Sequence, residues 1–143
     1  MPTRTAHARW NGKLRDGDGS MEFGSGAYEG AYSFRSRFEE GDGTNPEELI
    51  GAAHAGCFSM ALAGVLEEAG FSPESVDTEA VVHLEQVEGD FAITRVELET
   101  EAMVPEIEES EFMEFAEDAK ANCPVSKALA GTEISLSATL ASA

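Results

Sequence analysis

The chain has 143 residues, enough for one sizeable core, and we expect a single domain spanning residues 1–143. Its 28 acidic and 9 basic side chains give a formal net charge of -19. Because binding a phosphate backbone requires basic side chains that replace its counterions, this balance argues against nucleic acid as a partner. The N-terminal residues lack a secretory apolar segment, and no run of about 18 uninterrupted apolar residues occurs. We therefore expect a soluble, cytoplasmic protein that does not span a membrane.

The first third of the chain contains short runs in which apolar and polar residues alternate. Such runs occur within residues 5–14 and 21–34, and they are separated by glycine-rich and aspartate-rich segments. This pattern predicts a small antiparallel meander of strands. A loop from Phe38 to Gly43 is expected to follow it.

A long helix is predicted to begin after this loop. Asn45 is a good N-cap, Pro46 suits the first helical position, and Glu47 complements the positive end of the helix dipole. Residues 49–66 are mostly small or apolar on every face, and Gly70 is a suitable stop. Every face of such a helix must be buried against other residues, and a chain of this length has few residues available for that. We therefore expect a homodimer whose subunits share their central helices.

The second half of the chain predicts further strands and helices. Residues 75–87 and 91–104 have the alternation of a hairpin with one buried face. Residues 108–121 repeat apolar side chains at the spacing of an amphipathic helix, residues 124–130 predict a short helix, and residues 134–140 predict a last strand. The order of these elements indicates an α+β domain.

Two cysteines, Cys57 and Cys123, are the most informative reactive side chains. Neither belongs to a Cys-x-x-Cys pair or to a zinc-binding spacing, so we expect no metal and no cofactor. A cysteine in an apolar helix is usually inert, and Cys57 would need a nearby cation, such as Arg35 or Arg37, to become reactive. Cys123 precedes Pro124 at the expected start of a helix, where a thiolate is favoured. The residues alone therefore favour Cys123 as the nucleophile and redox work over a structural disulfide.

Two longer motifs contain these cysteines. Residues 44–62 read Thr-Asn-Pro-Glu-Glu-Leu-Ile-Gly-Ala-Ala-His-Ala-Gly-Cys-Phe-Ser-Met-Ala-Leu, and residues 123–126 read Cys-Pro-Val-Ser. Together they resemble the OsmC/Ohr family of thiol-dependent peroxidases, and His54 with the segment 36–39 resembles its OsmC branch. The resemblance covers essentially the whole chain. It implies antiparallel sheets around a long buried central helix and an intertwined homodimer.

The resemblance also implies roles for individual residues. Cys57 matches the peroxidatic cysteine and Cys123 the resolving one, which reverses the preference drawn from the residues alone. Arg37 matches the assisting arginine, with Arg15 as the alternative, and Glu47 matches the assisting glutamate. Organic hydroperoxides, and hydrogen peroxide as a second candidate, would oxidise the first thiol to a sulfenic acid. The second thiol would convert it to a disulfide, which an external dithiol would reduce.

The same residues also have simpler interpretations. Glu47 could serve only the helix dipole, and His54 is expected to be a hydrogen-bonded buried histidine. A non-catalytic stress-protection or ligand-binding protein could use an apolar cleft around Phe58 and Met60. A redox sensor could use the same disulfide to change the binding of a partner.

Helix geometry constrains the expected site. Glu47 and Cys57 are ten residues apart on the predicted helix, which separates them by about 15 Å along its axis. We therefore expect Glu47 to serve the Cys57 of a second subunit across a two-fold axis.

The excess of acidic side chains predicts adaptation to high salt. At 1 M salt the Debye length falls to about 3 Å, so the mutual repulsion of these charges is screened. We expect the unfolding midpoint to rise substantially between low salt and molar KCl. A midpoint that does not depend on salt would leave only the simpler interpretation of a soluble acidic protein.

Overall fold

The computed structural model describes residues 1–141. Their contacts divide into two compact units, Met1–Leu49 and Ile50–Ala143. The prediction that residues 1–143 form a single domain stays a prediction.

The first unit contains a three-stranded sheet. Its strands are β1 (Ala6–Asn11), β2 (Asp18–Phe23) and β3 (Glu29–Tyr32), and they pair antiparallel in the order β1-β2-β3. The predicted meander is therefore confirmed. Gly19 is required at its centre, because a Cβ there would lie 2.6 Å from the rings of both Trp10 and Tyr32.

Helix α1 (Phe34–Phe38) follows the sheet directly. The loop predicted from Phe38 is confirmed to within one residue, since α1 ends there. The alternation predicted to continue to Phe34 was wrong, because β3 ends at Tyr32 and a helix begins at Phe34. The reason is local. Ser33 accepts a hydrogen bond from the backbone N–H of Ser36, and the Ser36 hydroxyl accepts one from the backbone N–H of Ser33. This capping box begins a helical turn where the alternation of apolar residues predicts a strand.

Helix α2 (Pro46–Glu68) is the longest helix of the described residues. The Asn45 side chain accepts a hydrogen bond of 2.7 Å from the backbone N–H of Glu48, which confirms it as the N-cap. Gly70 has a φ of 95°, a value that suits the glycine stop predicted for this helix. By length and composition α2 could cross a membrane, a test that the core helix of a soluble protein also passes.

The two faces of α2 differ in exposure. One face is fully buried, and its four side chains follow one another at four-residue spacing: His54, Phe58, Leu62 and Leu66. The opposite face is exposed and consists of small or flexible residues: Ala52, Gly56, Met60 and Gly64. The all-round cover expected for this helix is therefore not provided by a single copy of the chain.

The second unit contains a sheet whose first two strands form a hairpin. Strand β4 (Ser75–Val87) pairs antiparallel with β5 (Asp90–Met103), as predicted. The turn contains Glu88 and Gly89, both with positive φ. On β5 the inward residues are those of the predicted apolar face, with Val96, Leu98 and Ala102 fully or almost fully buried.

Strand β6 (Glu133–Leu140) completes this sheet in the order β4-β5-β6, but it pairs parallel with β5. The expectation of purely antiparallel sheets was therefore wrong. A parallel pair requires a crossover connection, and here it is formed by α3 (Glu109–Asn122) and α4 (Pro124–Ala128). The core of the unit joins α2, β5 and α3 through ten buried side chains: Phe58, Leu62, Leu66, Val96, Leu98, Ala102, Val104, Phe112, Ala116 and Ala119.

Candidate active site

The two cysteines meet in the second unit. Cys57 lies in the middle of α2, and Cys123 lies between α3 and α4. Their Sγ atoms are 2.9 Å apart, a distance at which the two sulfurs share a hydrogen bond. Both are free thiols, with Cys123 fully buried and Cys57 partly exposed. A small reactant can therefore reach Cys57, whereas Cys123 is reached through Cys57.

The surroundings of Cys123 favour its thiolate. Burial opposes ionisation, but the hydrogen bond shared with Cys57 and the interactions with Ser126 and Val125 outweigh it and lower the pKa of Cys123. The interactions with Ser126 and Val125 occur because Cys123 occupies the N-cap position of α4, where backbone N–H groups have no partner within the helix. The expected position of Cys123 at a helix start is confirmed, and the lowered pKa agrees with the thiolate expected there.

The opposite holds for Cys57. Burial raises its pKa, the hydrogen bond with Cys123 and the charge of Cys123 raise it further, and the backbone N–H of Val125 offsets only part of this. Among the described residues of the second unit, no lysine or arginine contributes to the pKa of Cys57. Within the described part of this unit, no positive charge offsets the effect of burial on Cys57.

Arg37 and Glu47 form an ion pair in the first unit. The guanidinium donates two hydrogen bonds, one from Nε to Oε1 at 3.1 Å and one from Nη2 to Oε2 at 3.0 Å. Glu47 is buried, while the Arg37 side chain is 36% exposed. This bidentate geometry fixes the plane of the guanidinium and leaves part of it free to meet another group. The suggestion that Glu47 serves only the helix dipole is therefore insufficient.

A frame of short hydrogen bonds holds the ion pair in place. The Ser36 hydroxyl donates to the carbonyl oxygen of Thr44 at 2.7 Å, and the Asn45 amide donates to the carbonyl oxygen of Ser36 at 3.0 Å. These bonds join α1, which contains Arg37, to the start of α2, which contains Glu47. Ser36 and Thr44 are buried, so the bonds are shielded from water.

An aromatic pocket borders Arg37. It has a volume of about 210 Å³ and is lined mainly by aromatic side chains: Trp10, Leu14, Tyr32, Ser33, Phe34, Arg37 and Phe38. Arg15, the alternative arginine, instead lies over the ring of Phe34, 4.5 Å from its centroid. The arginine that pairs with Glu47 is thus Arg37.

His54 and Ser126 form a buried polar pair beside the thiols. His54 Nε2 lies 2.8 Å from Ser126 Oγ, and burial lowers the pKa of the histidine. Its Nδ1 has no hydrogen-bond partner among residues 1–141, so only one of the two ring nitrogens of the expected hydrogen-bonded histidine is paired. No role was predicted for Ser126 from the sequence. Its position three residues after a helix N-cap, where a side chain can return to the cap, was the available signal.

The apolar cleft suggested around Phe58 and Met60 was wrong. Phe58 is fully buried in the core, whereas Met60 is 80% exposed on the other side of α2. Neighbouring helical residues two positions apart point in different directions, so they do not line one cleft. Within residues 1–141 no cluster of three or more His, Cys, Asp and Glu side chains is arranged to hold a metal ion.

The chain is similar in sequence to proteins of one known family. The family model described as OsmC-like protein matches residues 39–137. The chain is 50% identical over 127 residues to the peroxiredoxin OsmC of Escherichia coli (strain K12), covering 88% of this chain and 89% of that protein. It is 34% identical to an organic hydroperoxide resistance protein of Xanthomonas axonopodis pv. citri, covering 71% and 69% of the two chains.

The fold also matches solved structures. The crystal structure of an organic hydroperoxide resistance protein OsmC from Legionella pneumophila superposes with a TM-score of 0.74 and 26% identity, covering 97% of this chain and 99% of that one. The chain therefore belongs to the OsmC-like family, and the resemblance seen in its cysteine motifs is confirmed.

The ion pair in the first unit generates a stability prediction. Glu47→Ala should lower the free energy of unfolding by about 1–2 kcal/mol, less than the loss of a fully buried pair because Arg37 is partly exposed. Glu39→Ala is the matched control, since the pair of Glu39 with Arg35 is exposed and longer, at 3.8 Å. It should change the stability by less than about 0.5 kcal/mol. Equal effects in chemical denaturation would contradict the structural weight given to Glu47.

Proposed function

We propose that this protein is a thiol-dependent peroxidase that reduces organic hydroperoxides through Cys57 and Cys123. The observation that carries the proposal is the 2.9 Å separation of two free sulfurs, one partly exposed and one buried. An accessible thiol can meet the oxidant, and a buried neighbour can close a disulfide with little movement. The peroxide-reducing names of the relatives support the same class of enzyme.

The reaction has two chemical steps. The Cys57 thiolate attacks the outer oxygen of the hydroperoxide, the O–O bond breaks, and an alcohol leaves once its oxygen takes up a proton. Cys57 then holds a sulfenic acid. The Cys123 thiolate attacks this sulfur, the S–O bond breaks, and the departing hydroxide leaves as water with a proton. An external dithiol must return two electrons to the resulting disulfide before the next cycle.

Arg37 would supply the cation that Cys57 lacks in its own unit. A guanidinium beside Cys57 would oppose the effect of burial, lower the pKa of this thiol and stabilise the negative charge that develops on the peroxide oxygens. Glu47 would hold the guanidinium in one orientation through its two hydrogen bonds. The aromatic pocket next to Arg37 would accept the alkyl or aryl group of the hydroperoxide. This favours organic hydroperoxides, with hydrogen peroxide as a poorer substrate.

A homodimer would bring these groups together. Glu47 and Cys57 lie on one helix, ten residues apart, so about 15 Å of helix axis separates them within one subunit. A two-fold axis that sets the α2 helices against each other would bring the Arg37–Glu47 pair of one subunit to the Cys57 of its partner. The exposed face of α2 suits this packing, because Gly56 and Gly64 leave open space where a side chain would stand.

The setting of this reaction is also part of the proposal. A pair of free thiols that cycles through a disulfide suits a reducing compartment, so we propose a cytoplasmic protein served by a dithiol reductant. The acidic surface makes nucleic acid an unsuitable partner. No membrane is needed for the reaction.

A disulfide redox sensor is the second candidate, because the same sulfur pair would close after a single oxidation. Turnover distinguishes the two. An enzyme consumes many equivalents of cumene hydroperoxide with dithiothreitol or dihydrolipoamide present, whereas a sensor consumes one. Hydrogen peroxide, tested in parallel, measures the contribution of the organic group. A non-catalytic binding protein would consume neither peroxide.

Variants of the two cysteines should separate the two chemical steps. Cys57→Ser should abolish peroxide consumption, since Cys123 is buried behind it. Cys123→Ser should still consume one equivalent and accumulate a sulfenic acid on Cys57 that dimedone traps, detected by mass spectrometry. Equal single-turnover consumption by Cys57→Ser and the unaltered protein would overturn the assignment of the two thiols.

Mixed dimers test whether Glu47 acts on the partner subunit. A heterodimer of one Glu47→Ala subunit and one Cys57→Ser subunit should retain one intact site and about half of the activity of the unaltered dimer. The matched control places both substitutions in one subunit and pairs it with an unaltered subunit. This dimer should have no intact site. The reverse pattern, with activity only in the control, would show that Glu47 serves the Cys57 of its own chain.

A further inference from the structure

His54 and Ser126 lie beside the resolving cysteine but take no part in the chemistry described so far. His54 is fully buried on α2, and Ser126 is 6% exposed on α4. The Ser126 hydroxyl lies 2.8 Å from His54 Nε2, and its interaction with the Cys123 sulfur lowers the pKa of that thiol. A hydroxyl has a single hydrogen to donate, so the direction of that hydrogen decides what Ser126 does for the sulfur.

The direction of the Ser126 hydrogen follows from the ring hydrogen of His54, whose Nδ1 has no hydrogen-bond partner among the described residues. If Nδ1 carried the ring hydrogen, a buried N–H would have no acceptor, and Nε2 would draw the Ser126 hydrogen away from Cys123. If Nε2 carries it, the buried donor is satisfied by Ser126 Oγ. The serine hydrogen is then free to point at the sulfur. Burial also disfavours the doubly protonated ring, which would be charged and would leave one N–H unpaired.

We propose that His54 is a positioning residue for disulfide formation: its Nε2–H, donated to Ser126 Oγ, directs the serine hydrogen to the thiolate of Cys123. This inference rests on the proposed function, because the resolving role of Cys123 belongs to it. The chain of donors runs from α2 to α4 and ends on the sulfur that attacks.

The donor chain affects the second chemical step. Cys123 attacks as a thiolate, and a hydroxyl hydrogen directed at the sulfur increases the fraction that is ionised at neutral pH. The S–S bond then forms as the S–O bond of the Cys57 sulfenic acid breaks, and hydroxide leaves as water after taking up a proton. His54 neither gains nor loses a proton over the step. Its part is to keep the serine hydrogen from turning away.

Two substitutions distinguish this donor role from that of a base. His54→Leu removes the donor, so disulfide formation after one equivalent of cumene hydroperoxide should slow by roughly tenfold, the effect expected for a lost hydrogen bond to a charged group. Dimedone should then trap more sulfenic acid on Cys57. His54→Gln retains an N–H donor without a titrating group and should restore most of the rate. The rate of the first oxidation should not change in either variant.

Two further measurements exclude a general structural effect. In His54→Leu the rate of disulfide formation should recover as the pH rises, because alkali ionises Cys123 without help from Ser126. Ser126→Ala should show the same defect, and the double variant should be no slower than either single one. Ser59→Ala is the matched control: its hydroxyl donates a 2.7 Å hydrogen bond to Thr78 from the same helix, away from the thiols. It should leave disulfide formation unchanged.

The outcomes separate the inference from the function on which it rests. If the unaltered protein forms no disulfide between Cys57 and Cys123 when treated with peroxide, the proposed function fails. If it forms the disulfide and His54→Leu forms it equally fast, only the donor role fails. If His54→Gln is as slow as His54→Leu at every pH, the histidine does not act as a hydrogen donor, and the inference is overturned.

Discussion

The short distance between two sulfurs is the contact on which the proposed chemistry of this protein depends. Two elements far apart in sequence produce it, the middle of α2 and the junction of α3 with α4, which are both held by one hydrophobic core. The parallel pairing of β6 with β5 is part of the same arrangement. It requires the chain to cross over the sheet, and the crossover is what presents Cys123 to Cys57.

The two thiols differ in ways that complement each other. Cys123 has the hydrogen-bond donors that favour a thiolate but is shielded from reactants, whereas Cys57 is accessible but has its pKa raised by burial and by its neighbour. A nucleophile needs both ionisation and access. In the second unit these two requirements are met by different cysteines, so an enzyme built on this unit needs a cation from elsewhere to ionise Cys57.

The proposed function assigns this role to Arg37, whose guanidinium is already held by Glu47. Its two hydrogen bonds and the buried frame of Ser36 and Thr44 fix the guanidinium before any reactant arrives. Preorganised charge of this kind is more effective than a flexible side chain, because it does not have to be reoriented during the reaction. In the proposed dimer this pair would serve the Cys57 of the partner subunit, because ten residues of α2 separate Glu47 from Cys57 within one chain.

The sequence by itself determined the local features of this protein. Asn45, Pro46 and Gly70 predicted the limits of α2, alternation predicted the hairpin of β4 and β5, and the residues around Cys123 predicted a thiolate at a helix start. The cysteine motifs indicated the family. Each of these signals depends on residues close together in the chain, so no long-range contact is needed to read it.

Only the tertiary structure decided which distant residues meet. It made β6 parallel to β5 and brought Ser126 to His54, 72 residues away in the chain. Neither follows from periodicity, because hydrogen bonding and core packing between remote segments select them. A sequence pattern indicates which faces are apolar, but the free energy of the whole fold determines what packs against each face.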